Sequence, residues 1–475
     1  MLNFNDYQQH DALGLASLIR SGELSASEVL EAAIDRAESR NPDINALVAK
    51  TYDEARATAK AALPDSPIAG VPFLIKDLAY LNGVPCTYGS RLYADNRVDH
   101  DATVVERYRA AGLVIFGKTN TPEFGLNVVT EPALFGPCRN PWNTDHTPGG
   151  SSGGAGAAVA DGWLPVAHAT DGGGSIRIPA SCCGLVGLKP TRARNPAGPD
   201  VGEGWGGMST GHVLARSVRD SAAFLDATHG PALGDPYQAR PFEGSYLQQL
   251  THSLRPLRIA VERNTMTGVA PHEECINAVE RAAKLCEQLG HHVEEASPEI
   301  DRELFGIATG VIVVGNIANS VYGRVKALGR DLRDDDIEPH TRFMAESGRR
   351  LTAQDYAHGI QVIHQAGRTL AQFHETYDVM LTPTLVCPPV RVGFLDTVTD
   401  YDADAYNQRF VQFWGYTNLQ NATGQPAVSL PLHSSSDNLP VGVQFVGPVG
   451  EELILLQLAA QLEEAAPWFG TTPPR

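Results

Sequence analysis

The chain has 475 residues, of which 43% are hydrophobic and 19% are charged, a balance typical of a globular protein with a large core. Its length exceeds the usual size of a single core, and on that ground alone two or three domains would be expected. The formal net charge of −18 repels polyphosphates, which argues against nucleic acids and anionic membranes as partners.

The N-terminal residues do not show the basic stretch followed by an apolar run that marks a secretory signal. We also find no run of about 18 apolar residues, the length that a membrane span requires. The seven cysteines have scattered spacings, which indicates reduced thiols. The sequence therefore predicts a cytoplasmic protein, and the absence of a Cys-x-x-Cys or His-x-x-x-His pattern predicts that it holds no metal.

The first half of the chain alternates between helical and extended patterns. In chain order the prediction is two helices within 10–50, a buried strand over 68–82, a helix over 102–111, a strand over 113–116, a proline-rich loop over 119–150, a helix over 155–160, and strands over 165–170 and 185–188. The second of the two N-terminal helices opens with the capping box Ser25-Ala26-Ser27-Glu28. Lys76 and Asp77 are conspicuous because they interrupt an otherwise apolar strand.

The second half continues the alternation after a loop. In chain order the prediction is a glycine-rich and proline-rich loop over 195–212, a strand over 258–261, a helix over 271–290, a strand over 378–384, a helix over 407–422, strands over 427–430 and 441–445, and an amphipathic helix over 451–464. Strands and helices that alternate in this way predict an α/β fold with a largely buried sheet.

Two well-known motifs occur, but each lies in the wrong context. Gly112 to Thr119 matches the phosphate-binding P-loop expression, yet its middle residues form an apolar strand where the motif needs a turn. Gly-x-Ser-x-Gly occurs twice between Gly149 and Gly154, but no apolar strand precedes it, as the nucleophile elbow of an α/β-hydrolase requires. We therefore predict neither nucleotide binding nor that hydrolase fold.

Three other fragments contain the parts of an acyl-transfer site. They are Lys76 in its apolar strand, the segment Gly149-Gly150-Ser151-Ser152-Gly153-Gly154, and the segment Asp171-Gly172-Gly173-Gly174-Ser175-Ile176-Arg177. Serine needs a proton acceptor to attack a carbonyl, and a lysine removed from water can lose its proton near neutral pH. Glycine-rich turns allow backbone N–H groups to surround an oxygen that becomes negative.

Taken together, these fragments resemble the amidase signature family. Lys76 precedes Ser151 by 75 residues and Ser151 precedes Ser175 by 24, as that family's pattern expects. Further landmarks lie at 117–124, 140–143, 187–191 and 382–384 and between 421 and 442, so the resemblance covers most of the chain. It implies one domain over 1–475, a single α/β/α sandwich around a large, mixed, twisted sheet, with a signature core over 66–225.

The resemblance also implies a role for each matching residue. Ser175 corresponds to the nucleophile, Ser151 to a bridging serine that follows a cis peptide bond, and Lys76 to the base. The backbone N–H groups of Gly172, Gly173, Gly174 and Ser175 are expected to form the oxyanion hole. Ser152, Asp171 and Arg177 are expected to support these groups, Asp171 and Arg177 as an ion pair. The family needs no cofactor.

The substrate follows less directly from the sequence. The stretch 130–143 looks most like the branch that contains 6-aminohexanoate cyclic-dimer hydrolase, aryl acylamidases and urethanases, which implies a small, fairly apolar amide, anilide, carbamate or oligoamide. The expected pocket residues are Phe124, Asn127, Gly150 and Trp205, within walls contributed by 124–135, 202–207 and 305–345. The resemblance allows a monomer or a homodimer. Two alternatives stay open, a glutamine-amidase subunit of a tRNA-dependent amidotransferase and an inactive scaffold or binding protein.

Overall fold

The computed structural model describes residues 4–399 and 401–474. Its strands are β1 Leu47–Lys50, β2 Pro72–Lys76, β3 Val114–Thr119, β4 Val166–Asp171, β5 Val186–Lys189, β6 Thr210–Ala215, β7 Arg258–Val261, β8 His292–Glu295, β9 Val379–Pro383, β10 Ala427–Ser434 and β11 Pro440–Val446. Its α-helices are α1 Phe4–Gln8, α2 Ala12–Ser21, α3 Ala26–Ile44, α4 Tyr52–Lys60, α5 Thr103–Ala110, α6 Gly153–Ala160, α7 Arg177–Cys183, α8 Val218–Thr228, α9 Tyr246–Gln249, α10 Glu273–Gln288, α11 Arg302–Ala327, α12 Pro339–Arg349, α13 Ala353–Phe373, α14 Ala403–Phe413, α15 Asn418–Thr423 and α16 Glu452–Ala465.

Eight strands form a large mixed sheet in the order β4-β6-β5-β10-β11-β9-β7-β8. Neighbouring strands are antiparallel from β4 to β9, whereas β9, β7 and β8 run parallel. A second sheet of three strands, β1-β3-β2, stands beside the β4 edge of the large sheet. The large mixed sheet confirms the predicted fold class, and the separate small sheet adds to it.

Successive side chains of a strand point to opposite faces of the sheet, so both faces of the large sheet carry side chains that must be covered. Helices cover both faces. On one face Val441, Val443 and Phe445 of β11 pack in a core cluster with residues of α8, α10 and α16. On the other face, Gly442 of the same strand donates its N–H to Ser181 Oγ of α7. The result is the layered arrangement of helix, sheet and helix that the resemblance implies.

Several predicted boundaries are wrong, for identifiable reasons. The strand expected over 68–82 ends at Lys76, and β6 begins within the loop expected over 195–212. The single helix expected over 407–422 is divided into α14 and α15, because Trp414 adopts extended backbone angles (φ −100°, ψ 142°). Its indole Nε1 donates to the carbonyl of Gly173, so a tertiary contact replaces the helical turn. The capping box of Ser25 and Glu28 forms as predicted, at the start of α3.

Helix α11 is apolar along much of its length, although no uninterrupted apolar run in it reaches about 18 residues. It has 26 residues, and its most apolar window reaches a mean hydropathy of 1.7, enough to cross a membrane by length and composition alone. The helix packs against α12 and α13 and contributes Phe305, Ile312 and Val321 to core clusters. Two asparagines and several glycines interrupt its apolar residues, which is why the sequence did not read as one continuous run.

Candidate active site

Lys76 is the last residue of β2 and has no exposed surface. Its Nζ lies 2.7 Å from Ser151 Oγ and 2.8 Å from Ser152 Oγ. A third hydroxyl, Thr170 Oγ1 at the end of β4, lies 2.9 Å away. Burial lowers the pKa of Lys76 well below its ordinary value because the ammonium form loses its hydration, and the charge of Asp171 offsets only part of this effect.

The hydrogen bonds around Ser152 indicate how the lysine protons are arranged. Ser152 Oγ donates to the carbonyl of Thr170 at 3.1 Å and accepts the N–H of Thr170 at 3.3 Å. Since its own proton is engaged, Ser152 can only accept a hydrogen bond from Lys76. A neutral amine has two protons and one lone pair. If the protons point to Ser152 and Thr170, the lone pair faces Ser151.

His168 joins the two sheets at the lysine. The backbone N–H of Lys76 donates to His168 Nδ1 at 3.3 Å, and this bond connects the edge strand β2 of the small sheet to the edge strand β4 of the large sheet. Burial, together with the smaller effect of positive charge at Lys76, lowers the pKa of His168 to about 3. The imidazole is therefore neutral at physiological pH, which leaves Nδ1 free to accept.

The peptide bond between Gly150 and Ser151 is cis, as the resemblance implies. Gly150 is closely surrounded, because a Cβ there would lie 2.6 Å from the carbonyl oxygen of Val129 and 2.8 Å from that of Asn127. Ser151 is 2% exposed. Its Oγ is a close neighbour of Gly125, because a Cβ built at Gly125 would lie 3.2 Å from it. Gly125 lines a cavity of about 640 Å³. Ser151 thus lies just behind the cavity wall.

Asp171 organises the loop that carries Ser175. Its carboxylate accepts the N–H of Gly174 at 2.7 Å and the N–H of Ile176 at 3.1 Å. Arg177 adds the predicted ion pair, with Nε and Nη2 each 2.9 Å from the carboxylate. Burial raises the pKa of Asp171, but the charge and hydrogen bonds of Arg177 outweigh burial and hold it below its usual value. The carboxylate therefore stays ionised.

Arg177 connects this loop to the C-terminal part of the chain. It has no exposed surface, and Nη1 donates to Gln444 at 2.6 Å and to Gln420 at 3.2 Å, while Nη2 donates to Asn421 at 2.5 Å. Every face of the guanidinium thus has an acceptor. Because each donor is used within the protein, Arg177 supports the loop and is not available to a substrate.

The predicted oxyanion hole needs one correction. The N–H of Gly174 is engaged by Asp171, so it cannot also face an oxyanion. The N–H groups of Gly173 and Ser175 have no acceptor among the residues that the structure describes. The carbonyl of Gly173 accepts from Trp414 Nε1 and Thr417 Oγ1, which fixes the orientation of that peptide. The candidate donors are therefore Gly172, Gly173 and Ser175.

Glycine is required at two positions of this loop. Gly172 lies under the indole of Trp205, and a Cβ there would approach the ring to 2.9 Å. Gly174 has φ +132°, and a Cβ there would lie 2.2 Å from Thr417 Oγ1. A side chain in place of Gly172 would displace Trp205, and one in place of Gly174 would displace Thr417.

A cavity of about 640 Å³ opens above Ser175, which is 8% exposed. Its walls are mainly apolar and include Trp205, Met208, Phe305, Val313, Phe343 and Trp414. Ile307 and Phe343 are 59% and 45% exposed, so the apolar lining continues to the surface. Its charged lining residues are Arg302, Glu303 and Asp404.

The predicted pocket residues lie in different places relative to the cavity. Asn127 and Trp205 line the cavity, as do residues 125–128 and many within 305–345. Phe124 does not, because its ring packs against Tyr88 and Tyr93. Gly150 does not either, since the backbone of residues 127–129 encloses it, and Asn127 and Val128 of that segment line the cavity.

The sequence reasoning missed His168 and Thr170, which both contact Lys76. A signal was present, because two polar residues at positions i and i+2 of an apolar strand lie on one face. It also missed the wall formed by 401–418, which has no motif.

No group of three His, Cys, Asp or Glu side chains is placed to hold a metal in the part of the chain that the structure describes. The Gly-Lys-Thr of the P-loop match lies within β3, and Lys118 Nζ forms an ion pair with Asp77 at 2.5 Å. The lysine is therefore structural, in agreement with the rejection of nucleotide binding.

Comparison with known proteins finds relatives along nearly the whole chain. The amidase family model matches residues 28–456. The 6-aminohexanoate-cyclic-dimer hydrolase of Paenarthrobacter ureafaciens is 39% identical over 476 aligned positions, covering 98% of this chain and 96% of that protein. A solved structure of 6-aminohexanoate cyclic dimer hydrolase complexed with substrate aligns with a TM-score of 0.92 at 38% identity, covering 98% of this chain and 99% of that one. A bacterial aryl acylamidase of the amidase signature enzymes aligns with a TM-score of 0.88 at 30% identity, covering 98% and 99%.

Proposed function

This chain belongs to the amidase family and is a hydrolase of amide bonds, and from that membership we propose that it cleaves small, largely apolar carboxamides through Ser175, Ser151 and Lys76. The observation that carries the proposal is the 2.7 Å contact between the buried amine of Lys76 and Ser151 Oγ, next to the cavity that contains Ser175. A base, a relay and a nucleophile are thereby available without a histidine or a metal ligand.

The proposed reaction begins with a proton transfer. Neutral Lys76 accepts the proton of Ser151, and Ser151 accepts that of Ser175 as Ser175 Oγ attacks the amide carbonyl. Ser151 then gives its proton to the leaving amine and regains one from the Lys76 ammonium, so that the C–N bond breaks, an acyl ester remains on Ser175 and the relay is reset. Water, deprotonated by the same relay, hydrolyses the ester and restores the serine.

The oxyanion of the tetrahedral intermediate is placed against the N–H groups of Gly173 and Ser175, with Gly172 beside them. Donors that are fixed before the reaction stabilise developing charge at no reorganisation cost. The support for this placement is the hydrogen bonding of the loop, in which Asp171 holds Gly174 and Trp414 holds the Gly173 carbonyl.

The substrate class follows from the cavity walls. A space of about 640 Å³ with apolar and aromatic walls fits an acyl or amine group larger than that of a simple fatty amide. Anilides, arylcarbamates and amide oligomers all have this character, and the relatives named above are a cyclic-dimer hydrolase and an aryl acylamidase. Glutamine is small and strongly polar, whereas the cavity is large and mainly apolar, which argues against an amidotransferase subunit.

The remaining features of the proposal concern where and with whom the enzyme acts. We place it in the cytoplasm, as a monomer or homodimer without a cofactor, a nucleic-acid partner or a membrane anchor. The net charge of −18 and the intracellular pattern of cysteines support this placement.

A hydrolysis panel tests the proposal. Purified wild-type protein and Ser175→Ala would be assayed on a short fatty amide, an anilide, an arylcarbamate, a 6-aminohexanoate oligomer and glutamine. We expect turnover of one or more of the apolar substrates by wild type only, and labelling of wild type alone by a fluorophosphonate at Ser175. Full activity of Ser175→Ala, or glutamine as the sole substrate, would contradict the proposal, and an unlabelled wild type without activity would favour a binding protein.

A further inference from the structure

The segment 393–397, which we call the strap, lies behind the cavity wall. None of its five residues lines the cavity, but it contacts two residues that do. Asn127 Nδ2 donates to the carbonyl of Leu395 at 3.2 Å, and the backbone N–H of His340 donates to the carbonyl of Thr397 at 3.5 Å. The strap therefore supports the wall from behind at two points.

Carboxyl groups hold the strap at both ends. The N–H of Gly393 donates to Glu131 Oε2 at 2.8 Å, and Thr397 Oγ1 donates to Glu338 Oε2 at 2.6 Å. Thr397 and Glu338 are both buried, and the second oxygen of Glu338 accepts the N–H of Ala133 at 2.7 Å. Both ends of the strap are thus tied to the loop that follows Asn127.

The middle of the strap orients the side chain of Asn127. Its Oδ1 accepts the N–H of the next residue, Val128, at 2.8 Å, so that Nδ2 is the atom directed at Leu395. Among the described residues, the Leu395 carbonyl is the one partner of this amide outside its own local backbone. Leu395 is 1% exposed and packs in the core, which fixes its carbonyl.

Asn127 also lies next to the reacting groups. Its carbonyl oxygen would be 2.8 Å from a Cβ built at Gly150, the residue before Ser151. A side chain that lines the cavity at this position meets whatever part of a substrate lies beside Ser151. The orientation of the Asn127 amide is therefore a feature on which substrate binding depends.

Resting on the proposed function, we propose that Thr397 and Glu338 are positioning residues for substrate binding, because they hold the strap where its Leu395 carbonyl orients Asn127. Neither residue lines the cavity, so their effect passes through the amide. Lys76 and the loop of Ser175 are held by separate hydrogen bonds. Loss of the anchor therefore weakens substrate binding more than it slows the chemical step.

The test replaces the hydroxyl of Thr397 by a methyl group of similar size. Thr397→Val and wild type are compared by steady-state hydrolysis of hexanoyl p-nitroanilide. We expect KM to rise about 5-fold, the effect of one neutral hydrogen bond, while kcat changes less than about two-fold. Thr397→Ser, which retains the hydroxyl, is expected to recover most of the wild-type KM. An unchanged KM in Thr397→Val would overturn the inference.

Further variants assign the effect to the anchor and to Asn127. Glu338→Ala is expected to raise KM as Thr397→Val does. Glu338→Gln is expected to reverse most of that increase, since its amide can accept from Ala133 and donate to the Thr397 hydroxyl. In an Asn127→Ala background, Thr397→Val should raise KM less than about two-fold further, because the amide it orients is gone. Independent, multiplicative effects on KM would contradict the inference.

Thr228→Val is the matched control. Thr228 is fully buried on α8, does not line the cavity, and donates its hydroxyl to the carbonyl of Phe224 at 2.8 Å. The same substitution there removes one buried hydrogen bond, so it should lower the melting temperature and leave KM unchanged. If Thr397→Val behaves in the same way, the strap is only structural and the inference fails, although the amidase proposal stands.

The outcomes separate this inference from the proposed function. If wild type hydrolyses no amide and Ser175 takes no fluorophosphonate label, the proposed function fails and the inference fails with it. Thermal melting of each variant is measured alongside the kinetics. Should Thr397→Val not fold, the comparison of Glu338→Ala with Glu338→Gln decides, and equal KM values for these two variants would overturn the inference.

Discussion

The floor and the walls of the cavity are built in different ways. The floor, formed by Lys76, Ser151, Ser152, Thr170 and the loop after Asp171, is a buried network in which most polar atoms are paired. The walls are apolar helices whose side chains reach the surface, with a few unpaired polar atoms. A fully paired network tolerates few changes, whereas an apolar wall tolerates many. The chemistry of this protein should therefore be fixed and its substrate range adjustable.

The largest effect should come from removing Lys76, the proposed base, at the floor. Lys76→Met is expected to lower kcat/KM by about 10⁴-fold or more, since residues of one catalytic unit fail together. Because the neutral amine is the active form, wild-type activity should fall as pH decreases through the lowered pKa of Lys76.

The pH profile of kcat/KM checks this assignment. In Lys76→Met, the pH profile of the residual rate should lack the fall at acidic pH that is attributed to the lysine. An unchanged fall would assign it to another group, and a rate close to that of wild type would remove Lys76 from the mechanism.

The next effect concerns stability, at Arg177. Arg177→Met leaves the carboxylate of Asp171 buried without its partner, which typically costs about 3–5 kcal/mol of unfolding free energy. Since the folded-state pKa of Asp171 is lowered, the stabilisation is present above the unfolded pKa of about 4 and is lost only at more acidic pH.

Denaturant midpoints at pH 7 measure this cost. Arg258→Met, which breaks an exposed pair with Glu294, serves as the matched control and should leave the midpoint nearly unchanged. Equal denaturant midpoints for the two variants would mean that the floor tolerates the loss of an ion pair as well as the surface does.

A smaller effect is expected where the two sheets meet at the floor. His168→Ala removes the acceptor of the Lys76 backbone N–H, and we expect about a 10-fold loss of kcat with little change in KM. His168→Asn, whose side-chain oxygen can accept the same bond, should recover part of the rate. Comparable losses in both variants would assign His168 a packing role only.

The smallest effect concerns the support of the walls. Glu123 and Glu338 are buried together, and the backbone N–H of Glu338 donates to the Glu123 carboxyl at 2.8 Å. Burial and the neighbouring Glu338 raise the pKa of Glu123 to about 8. Because the pKa of Glu123 is higher in the folded than in the unfolded protein, ionisation of its carboxyl group destabilises the folded state. The free energy of unfolding of wild type should therefore fall as pH rises from about 4.5 to 8.

Glu123→Gln keeps the acceptor without the charge, and its melting temperature should therefore depend less on pH, with a gain of a few degrees at pH 8. Melting curves at pH 5 and pH 8 measure the difference. A pH dependence identical to that of wild type would show that the carboxyl pair does not titrate in this range.

The same contrast explains how much could be predicted from the sequence. Lys76, Ser151 and Ser175 lie in short motifs whose residues and spacing are visible along the chain, so the floor could be identified. Gly174 was misassigned because its N–H belongs to Asp171, a bond that depends on loop geometry rather than residue type.

The walls could be predicted only in outline. Trp205 and the region 305–345 were expected to line the pocket and do, but α11, α12 and α13 were not recognised as helices. Apolar helices have no local signature of the surface they will cover, because tertiary packing decides it. Phe124 was misplaced for the same reason, since Tyr88 and Tyr93, which come earlier in the chain, pack against its ring.

The bonds from Arg177 to Gln420, Asn421 and Gln444 have a consequence for how the enzyme is made. They join residues separated by 243, 244 and 267 positions, so the loop that carries Ser175, besides its local bonds to Asp171, depends on residues far along the chain. During synthesis from the N-terminus, the ribosome releases these partners long after the loop itself. We expect a nascent or prematurely terminated polypeptide to contain both serines and the lysine yet to be inactive, so that hydrolysis begins only in finished molecules.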